Sequence, residues 1–95
     1  MHYVRTSLMT PAEGRDEEVR RLNEELSSFY QAQDGCLQSL MITAADGSGE
    51  LGRISIWESE EAAEHAATHE HSMSLRSRLH LAVKRGHADR SFFAP

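Results

Sequence analysis

The stretch that decides the fold runs from Trp57 to His65 and reads WESEEAAEH. It joins residues 51–58, where apolar and polar side chains alternate, to a segment with helical periodicity, so that a strand leads directly into a helix. Ser59 is a typical N-cap residue, and the two glutamates that follow it complement the positive end of the helix dipole. We therefore predict a strand that ends at Glu58 and a helix that begins after Ser59.

The rest of the chain supplies three more strands and one more helix. Residues 2–9, 36–44 and 88–94 are strand-like, and residues 15–33 carry large apolar side chains at helical spacing. An Asp-Gly turn signal lies in the loop at 45–50 and predicts a hairpin between the second and third strands. The resulting order, β-α-β-β-α-β, predicts an α+β, ferredoxin-like domain: a four-stranded antiparallel sheet with both helices on one face.

The second helix is expected to be irregular. Its apolar pattern restarts after Ser72, which predicts a break or kink near that residue, and Arg85-Gly86 is expected to end the helix. Ninety-five residues make one domain, spanning positions 1–95. Such a small core is marginal by itself, and one face of the sheet has no helix over it. We therefore predict a homodimer that forms through the open sheet face.

Composition excludes several classes of partner. The formal net charge is −5, which disfavours nucleic acid, and the scattered C-terminal basic residues are typical of a solvated helix face. No apolar run approaches the roughly 20 residues that span a bilayer, so we expect no membrane association. Cys36 is the single cysteine, which excludes an internal disulfide and fits a reducing compartment. We expect a cytoplasmic protein.

Small side chains in the second helix indicate a ligand site. Either the helix docks very close to the sheet, or a cavity remains beneath its alanines. In the second case Ala62, Ala66 and Met73, together with Tyr30 from the first helix, are candidate residues for binding a small hydrophobic or aromatic molecule. Trp57 would fill the gap between helix and sheet, form a wall of this cavity, or do both.

Two histidines one helical turn apart are the candidate proton-transfer groups. His65 and His69 could face one point, and an imidazole has a pKa near operating pH. The spacing would also suit two metal ligands, but neither the glutamate of an H-E-x-x-H motif nor a third ligand is evident, so no metal is predicted. The simplest alternative is that His65 lies at the helix edge and bonds a backbone carbonyl. No nucleophile elbow, P-loop or dinucleotide-binding glycine motif is found, so no nucleotide cofactor is predicted.

These residues carry a resemblance to a known family. The order of elements, the Trp57-x-Ser59 step and Glu61-Ala62-x-x-His65 resemble the antibiotic biosynthesis monooxygenase (ABM) domain family of dimeric α+β barrels, over nearly the whole chain. The resemblance implies two protomers whose open sheet faces pack together, with ligands between the sheet and helices of each protomer. Known activities in the family are cofactor-free oxygenation of polycyclic aromatic phenols, haem degradation and quinol oxidation.

The haem-degrading branch fits this chain poorly. That branch pairs an asparagine on the first strand with a helical tryptophan and a later histidine. Here the first strand has Arg5, Thr6 and Ser7, the second helix has no tryptophan, and Arg76 stands near the expected histidine. The resemblance therefore implies an oxidoreductase of the cofactor-independent monooxygenase kind.

The predicted substrate is a small aromatic or polyketide-like phenol. Trp57 would stack on it, with Tyr30 and Tyr3 nearby, and His65 or His69 would promote its deprotonation. Two alternatives stay open: a non-catalytic dimer that binds a small molecule in a stress response, and an isomerase-type enzyme that transfers protons on a lactone or enol.

Overall fold

Three helices cover one face of a four-stranded antiparallel sheet in the computed structural model, which describes residues 1–85 and 88–95. The sheet has the strand order β2-β3-β1-β4, so the α+β, ferredoxin-like prediction is confirmed. The elements are β1 (His2–Met9), α1 (Asp16–Gln31), β2 (Cys36–Thr43), β3 (Leu51–Trp57), α2 (Glu60–Ala67), α3 (Glu70–Ala82) and β4 (Ala88–Ala94).

The break in the second helical segment comes earlier than the periodicity predicts. Thr68 ends α2, and His69 has extended backbone angles (φ −65°, ψ 139°) and caps the N-terminus of α3. Ser72, where the break was expected, is fully buried within α3 and donates a hydrogen bond to the carbonyl of Ala66, 2.6 Å away. Ser72 thus holds the end of α2 against α3, and the prediction of a break at Ser72 is wrong by three to four residues.

The C-terminal end of the same segment also differs from the prediction. The helix stops at Ala82 because the backbone of Val83 turns extended and forms a bridge with Pro11. The amide of Lys84 then donates to the carbonyl of Thr10 at 2.8 Å. Arg85 lies beyond the helix, and Gly86, the other half of the predicted stop, lies outside the described residues.

The core lies between α1, α3 and the helix-facing side of the sheet. Alternation along β1 and β3 directs every second side chain toward the helices. The large apolar side chains of this core are those of Tyr3, Met9, Val19, Leu22, Leu26, Tyr30, Leu51, Trp57, Leu75 and Leu79. Six polar residues of the described chain are also buried, namely Ser7, Asn23, Ser27, Arg53, Ser55 and Ser72.

The opposite face of the sheet is apolar and faces solvent in the single chain. The register brings Val4 opposite Ile56 and Phe92, and Leu40 opposite Ile54, all on the side away from the helices. Leu40 and Phe92 are 38% and 40% exposed. Apolar side chains that follow this alternation on both sheet faces are typical of a sheet that is covered on both sides.

Candidate functional site

A cavity of about 400 Å³ lies between α2 and the helix-facing side of the sheet. Its floor comes from β1, β3 and β4, and its roof includes Ala63 and Ala67, both buried. Small side chains in α2 leave this space because they reach less far toward the sheet than leucines would. Of the two alternatives that the alanines left open, the structure has the cavity.

The alanines that line the cavity, Ala63 and Ala67, each follow a predicted one, Ala62 or Ala66, by one position. Ala62 packs against Gly35 at the entrance to β2, so closely that a Cβ on Gly35 would lie 2.6 Å from the Cβ of Ala62. Ala66 is buried in the core and does not line the cavity. The prediction of Ala62, Ala66 and Met73 as one group treated α2 and α3 as a single helix. The break at Thr68 follows both alanines, so it reorients Met73 on α3, whereas the rotation of α2 about its own axis decides which of its alanines face the cavity.

Aromatic side chains form one wall of the cavity. Trp57 is 1% exposed, lines the cavity and donates from Nε1 to the hydroxyl of Ser55 at 2.8 Å. The ring of Tyr30 meets the indole edge to face, with centroids 5.8 Å apart. Trp57 therefore fills the core and bounds the cavity at the same time, as the two compatible interpretations of the sequence allowed.

Tyr3 lies beside the cavity rather than in its lining. Its hydroxyl donates to the hydroxyl of Ser91 at 3.0 Å and accepts from Nε of Arg5 at 3.3 Å. Arg5, which does line the cavity, also forms an ion pair with Glu64 on α2. Burial disfavours the charge on Arg5, but the hydrogen bonds to Tyr3 and Glu64 outweigh it, so the pKa of Arg5 is raised.

The two predicted histidines are not brought to this cavity. His65 is exposed on α2, and neither His65 nor His69 is among the lining residues. His69 is also exposed; its Nδ1 accepts from the amide of His71, and its ring lies 5.0 Å from that of Phe29 on α1. A shared proton-transfer role for them beneath α2 therefore has no support in this geometry.

A second cavity, of about 590 Å³, lies between α3 and β1. Met73, predicted to contact ligand, lines it together with Met9, Leu79 and Val83. Met73 is thus separated from Trp57 and Tyr30, which line the first cavity. Four residues are shared by both linings: Ser7, Arg53, Arg76 and Asp89.

These shared residues are the feature that the sequence reasoning missed. Arg53 is 8% exposed, and its Nη1 donates to Oδ1 of Asn23 at 2.6 Å. Arg76 donates from Nη2 to the carbonyl of Ala67 at 2.5 Å, which directs it under the end of α2. Asp89 on β4 accepts from the hydroxyl of Ser7 at 2.5 Å.

One signal for this cluster was present in the sequence. Arg53, Ser55 and Trp57 alternate on the same face of a strand, and Trp57 was already predicted to be buried. Arg76 gave no such signal, because it was grouped with the scattered basic residues that are typical of a solvated helix face.

Burial lowers the pKa of Arg53. Tyr30 and Asp89 oppose this effect, whereas the neighbouring positive charge of Arg76 adds to it. Burial also shifts the Cys36 thiol, which is half-buried on β2: its pKa is raised.

Across residues 1–85 and 88–95, no group of three or more His, Cys, Asp or Glu side chains is arranged to hold a metal ion. No helix in that part of the chain is long and apolar enough to cross a membrane.

The family follows from comparison with known proteins. The family model for antibiotic biosynthesis monooxygenases matches residues 1–75. The chain belongs to this family. No curated protein sequence matches it.

Solved structures share the whole fold of this ABM-family chain. Rv0793 from Mycobacterium tuberculosis is 22% identical, with a TM-score of 0.88 over 100% of this chain and 95% of its own. SnoaB, a cofactor-independent oxygenase from Streptomyces nogalater, is 15% identical, with a TM-score of 0.84 over 99% and 93%. PA3566 from Pseudomonas aeruginosa is 22% identical, with a TM-score of 0.84 over 99% and 94%. At these identities the likeness concerns the fold.

Proposed function

We propose that this protein is a cofactor-independent monooxygenase whose substrate, a small aromatic or polyketide-like phenol, binds in the cavity beneath α2. The observation that carries the proposal is the lining itself: Trp57 and Tyr30 on one side, and Arg53 and Arg76 on another. Family membership adds support, because a cofactor-independent oxygenase has the same fold.

The chemistry of such a substrate needs no cofactor. A methylene next to the ring of a phenol or its keto form loses a proton and becomes an electron-rich enolate. That anion reduces O₂: the CH₂ becomes C=O with one oxygen atom, the other oxygen leaves as water, and the substrate supplies all four electrons. The enzyme must therefore bind the ring, accept a proton and stabilise the anion.

The lining residues divide these tasks among themselves. The rings of Trp57 and Tyr30 pack against the substrate. The guanidinium groups of Arg53 and Arg76 stabilise the enolate, because hydrogen bonds from a charged donor to an anion are stronger than those between neutral groups. Asp89 is the carboxylate that accepts the proton. It replaces His65 and His69 in this role, since Asp89 lines the cavity and the two histidines do not.

Oxygen uptake with anthrone tests the proposal. We expect product and O₂ consumption in equal amounts, with none under anaerobic conditions. Asp89→Asn should lower kcat about 100-fold or more, the typical contribution of a positioned base. The double variant His65→Ala/His69→Ala is the control and should keep its activity.

Four outcomes would contradict this assignment. Turnover that continues without oxygen rejects a monooxygenase, and deuterium exchange into the substrate without oxygen uptake favours proton-transfer chemistry instead. Saturable quenching of Trp57 fluorescence without any product favours the non-catalytic binding module. Loss of activity in the histidine double variant alone would return the base to His65 or His69.

The open sheet face supports a homodimer. A second copy would cover the apolar side chains of that face, whose exposure is costly for a chain of this size. Sedimentation at micromolar concentration should give about twice the protomer mass of 10.7 kDa. Leu40→Glu should produce monomers, whereas Leu81→Glu, on α3, should leave the dimer intact. A wild-type monomer would refute this part of the proposal.

A further inference from the structure

The charge of the cavity is opposite to that of the protein. The chain has a formal net charge of −5, yet beneath α2 the guanidinium groups of three arginines outnumber two carboxylates. The arginines are Arg5, Arg53 and Arg76, and the carboxylates are Glu64 and Asp89. Arg90 also borders the cavity, but its guanidinium lies over the ring of Phe92, on the open face of the sheet. A positive, partly enclosed site on an acidic protein attracts anions and concentrates them locally.

Arg53 carries the strongest part of this inference. It is buried in the core, where an ionised group is costly unless it has a partner of opposite charge. Its hydrogen bond goes to the uncharged amide oxygen of Asn23, and Asp89 is the carboxylate whose charge favours that of Arg53. Asp89 supplies one negative charge beside two guanidinium groups, Arg53 and Arg76, so a ligand with a negative charge would balance the second of them.

Arg76 makes the need for an anion greater. It lines the same two cavities as Arg53, and its charge disfavours that of Arg53. Two arginines that border one space, one on the sheet and one on α3, can both donate to an anion between them. A carboxylate suits such donors because each of its two oxygens accepts more than one hydrogen bond.

The geometry points to an aromatic carboxylate as the ligand that this cavity selects, with its ring against Trp57 and Tyr30 and its carboxylate bound by Arg53 and Arg76. This inference rests on the proposed function, since it names the class of substrate for the same cavity. The inferred ligand carries a permanent negative charge on its carboxylate, whereas a phenol or enol is neutral until it loses a proton.

Calorimetric titration with a matched pair of ligands tests the inference. Naphthalene-2-carboxylate and its methyl ester have the same ring system and differ in charge. We expect the acid to bind at least about tenfold more tightly, which corresponds to one or two charge-assisted hydrogen bonds. Inorganic phosphate is the third probe and should compete only weakly, because it lacks a ring.

Variants on α3 locate the selectivity. Arg76→Gln should abolish most of the preference for the acid while leaving ester affinity within about twofold. Arg78→Gln is the matched control: it removes the same charge from an exposed position of the same helix that lines neither cavity, and it should keep the preference. Arg53→Lys keeps a charge at the buried position, should fold, and should retain part of the preference.

The outcomes separate this inference from the proposed function. Equal affinity for acid and ester would overturn the inference and leave an aromatic site in place. Failure of both ligands to bind would overturn the inference and the proposed function together. Phosphate that displaces naphthalene-2-carboxylate with equal affinity would overturn the aromatic part, and an unchanged preference in Arg76→Gln would overturn the assignment of the residues.

Discussion

Replacement of Asn23 by alanine tests the central feature of the site, a buried guanidinium whose hydrogen bond goes to a neutral amide. Asn23 is fully buried on α1, and its Oδ1 accepts from Nη1 of Arg53 at 2.6 Å. Its Nδ2 donates to the carbonyl of Val19 at 2.9 Å. Nδ2 also lies 3.5 Å from the sulfur of Met9. Alanine at this position removes all three contacts, including the acceptor that Asn23 provides to Arg53.

The expected loss in the free energy of unfolding is about 3 kcal/mol. A hydrogen bond to a charged group contributes roughly 1.5–3 kcal/mol, and the smaller side chain leaves a void that adds about 1 kcal/mol. Entry of water from the cavities that Arg53 lines offsets part of this sum. With a slope of about 1.5 kcal/mol per molar urea, the midpoint should fall by about 2 M.

Urea denaturation followed by circular dichroism measures the change in the free energy of unfolding. All variants are compared at one protein concentration, because the stability of a dimer depends on concentration. Glu24→Ala, exposed on the same helix, is the control and should shift the midpoint very little. Asn23→Asp is the informative partner variant: it keeps an oxygen acceptor and supplies a negative charge to Arg53. It should lose less stability than Asn23→Ala and should weaken binding of naphthalene-2-carboxylate.

One result would refute this reasoning. If Asn23→Ala were no less stable than Glu24→Ala, the guanidinium of Arg53 would not depend on Asn23, and the cost assigned to its burial would be too large. The slope of the transition provides a check, because a changed slope would indicate altered unfolding rather than altered stability.

Three further predictions concern the scaffold. Gly52→Ala should lower the free energy of unfolding by more than about 3 kcal/mol or prevent folding, because a Cβ there would lie 1.7 Å from the carbonyl oxygen of Ser7. Gly47→Ala is the control: it has open space around it and should lose only about 1–2 kcal/mol, because of its positive φ. Equal thermal midpoints for the two variants would contradict this prediction. Ser59→Ala should lower the free energy of unfolding by about 1 kcal/mol, because its hydroxyl accepts from the amide of Ala62 at 3.1 Å; urea titration measures the loss, and none would mean that the cap is unimportant. Burial raises the pKa of Cys36, which reduces the fraction of thiolate at pH 8. Ellman's reagent should therefore react more slowly with the folded chain than with the chain unfolded in urea. Equal reaction rates for the two across pH would disprove the shift.

The order and type of the elements could be predicted from the sequence because they depend on local patterns. Alternation in residues 2–9 and 51–57, helical spacing on α1, and the Ser59 cap each specify one element without reference to distant residues. Burial of Trp57 and Tyr30 followed from the same patterns. The break after Ala67 could not be found in this way, since the hydrogen bonds that stabilise it depend on the packing of α3 against α2.

The site itself was decided by tertiary structure. Sequence spacing put His65 and His69 on one helix face, but only the docking of α2 and α3 determines that this face lies outside the cavity. Arg53, Arg76 and Asp89 come from three different elements, and nothing local relates them. Side-chain periodicity determines which face of a strand or helix is apolar, whereas a binding site depends on which faces meet, and that is set by packing over long sequence separations.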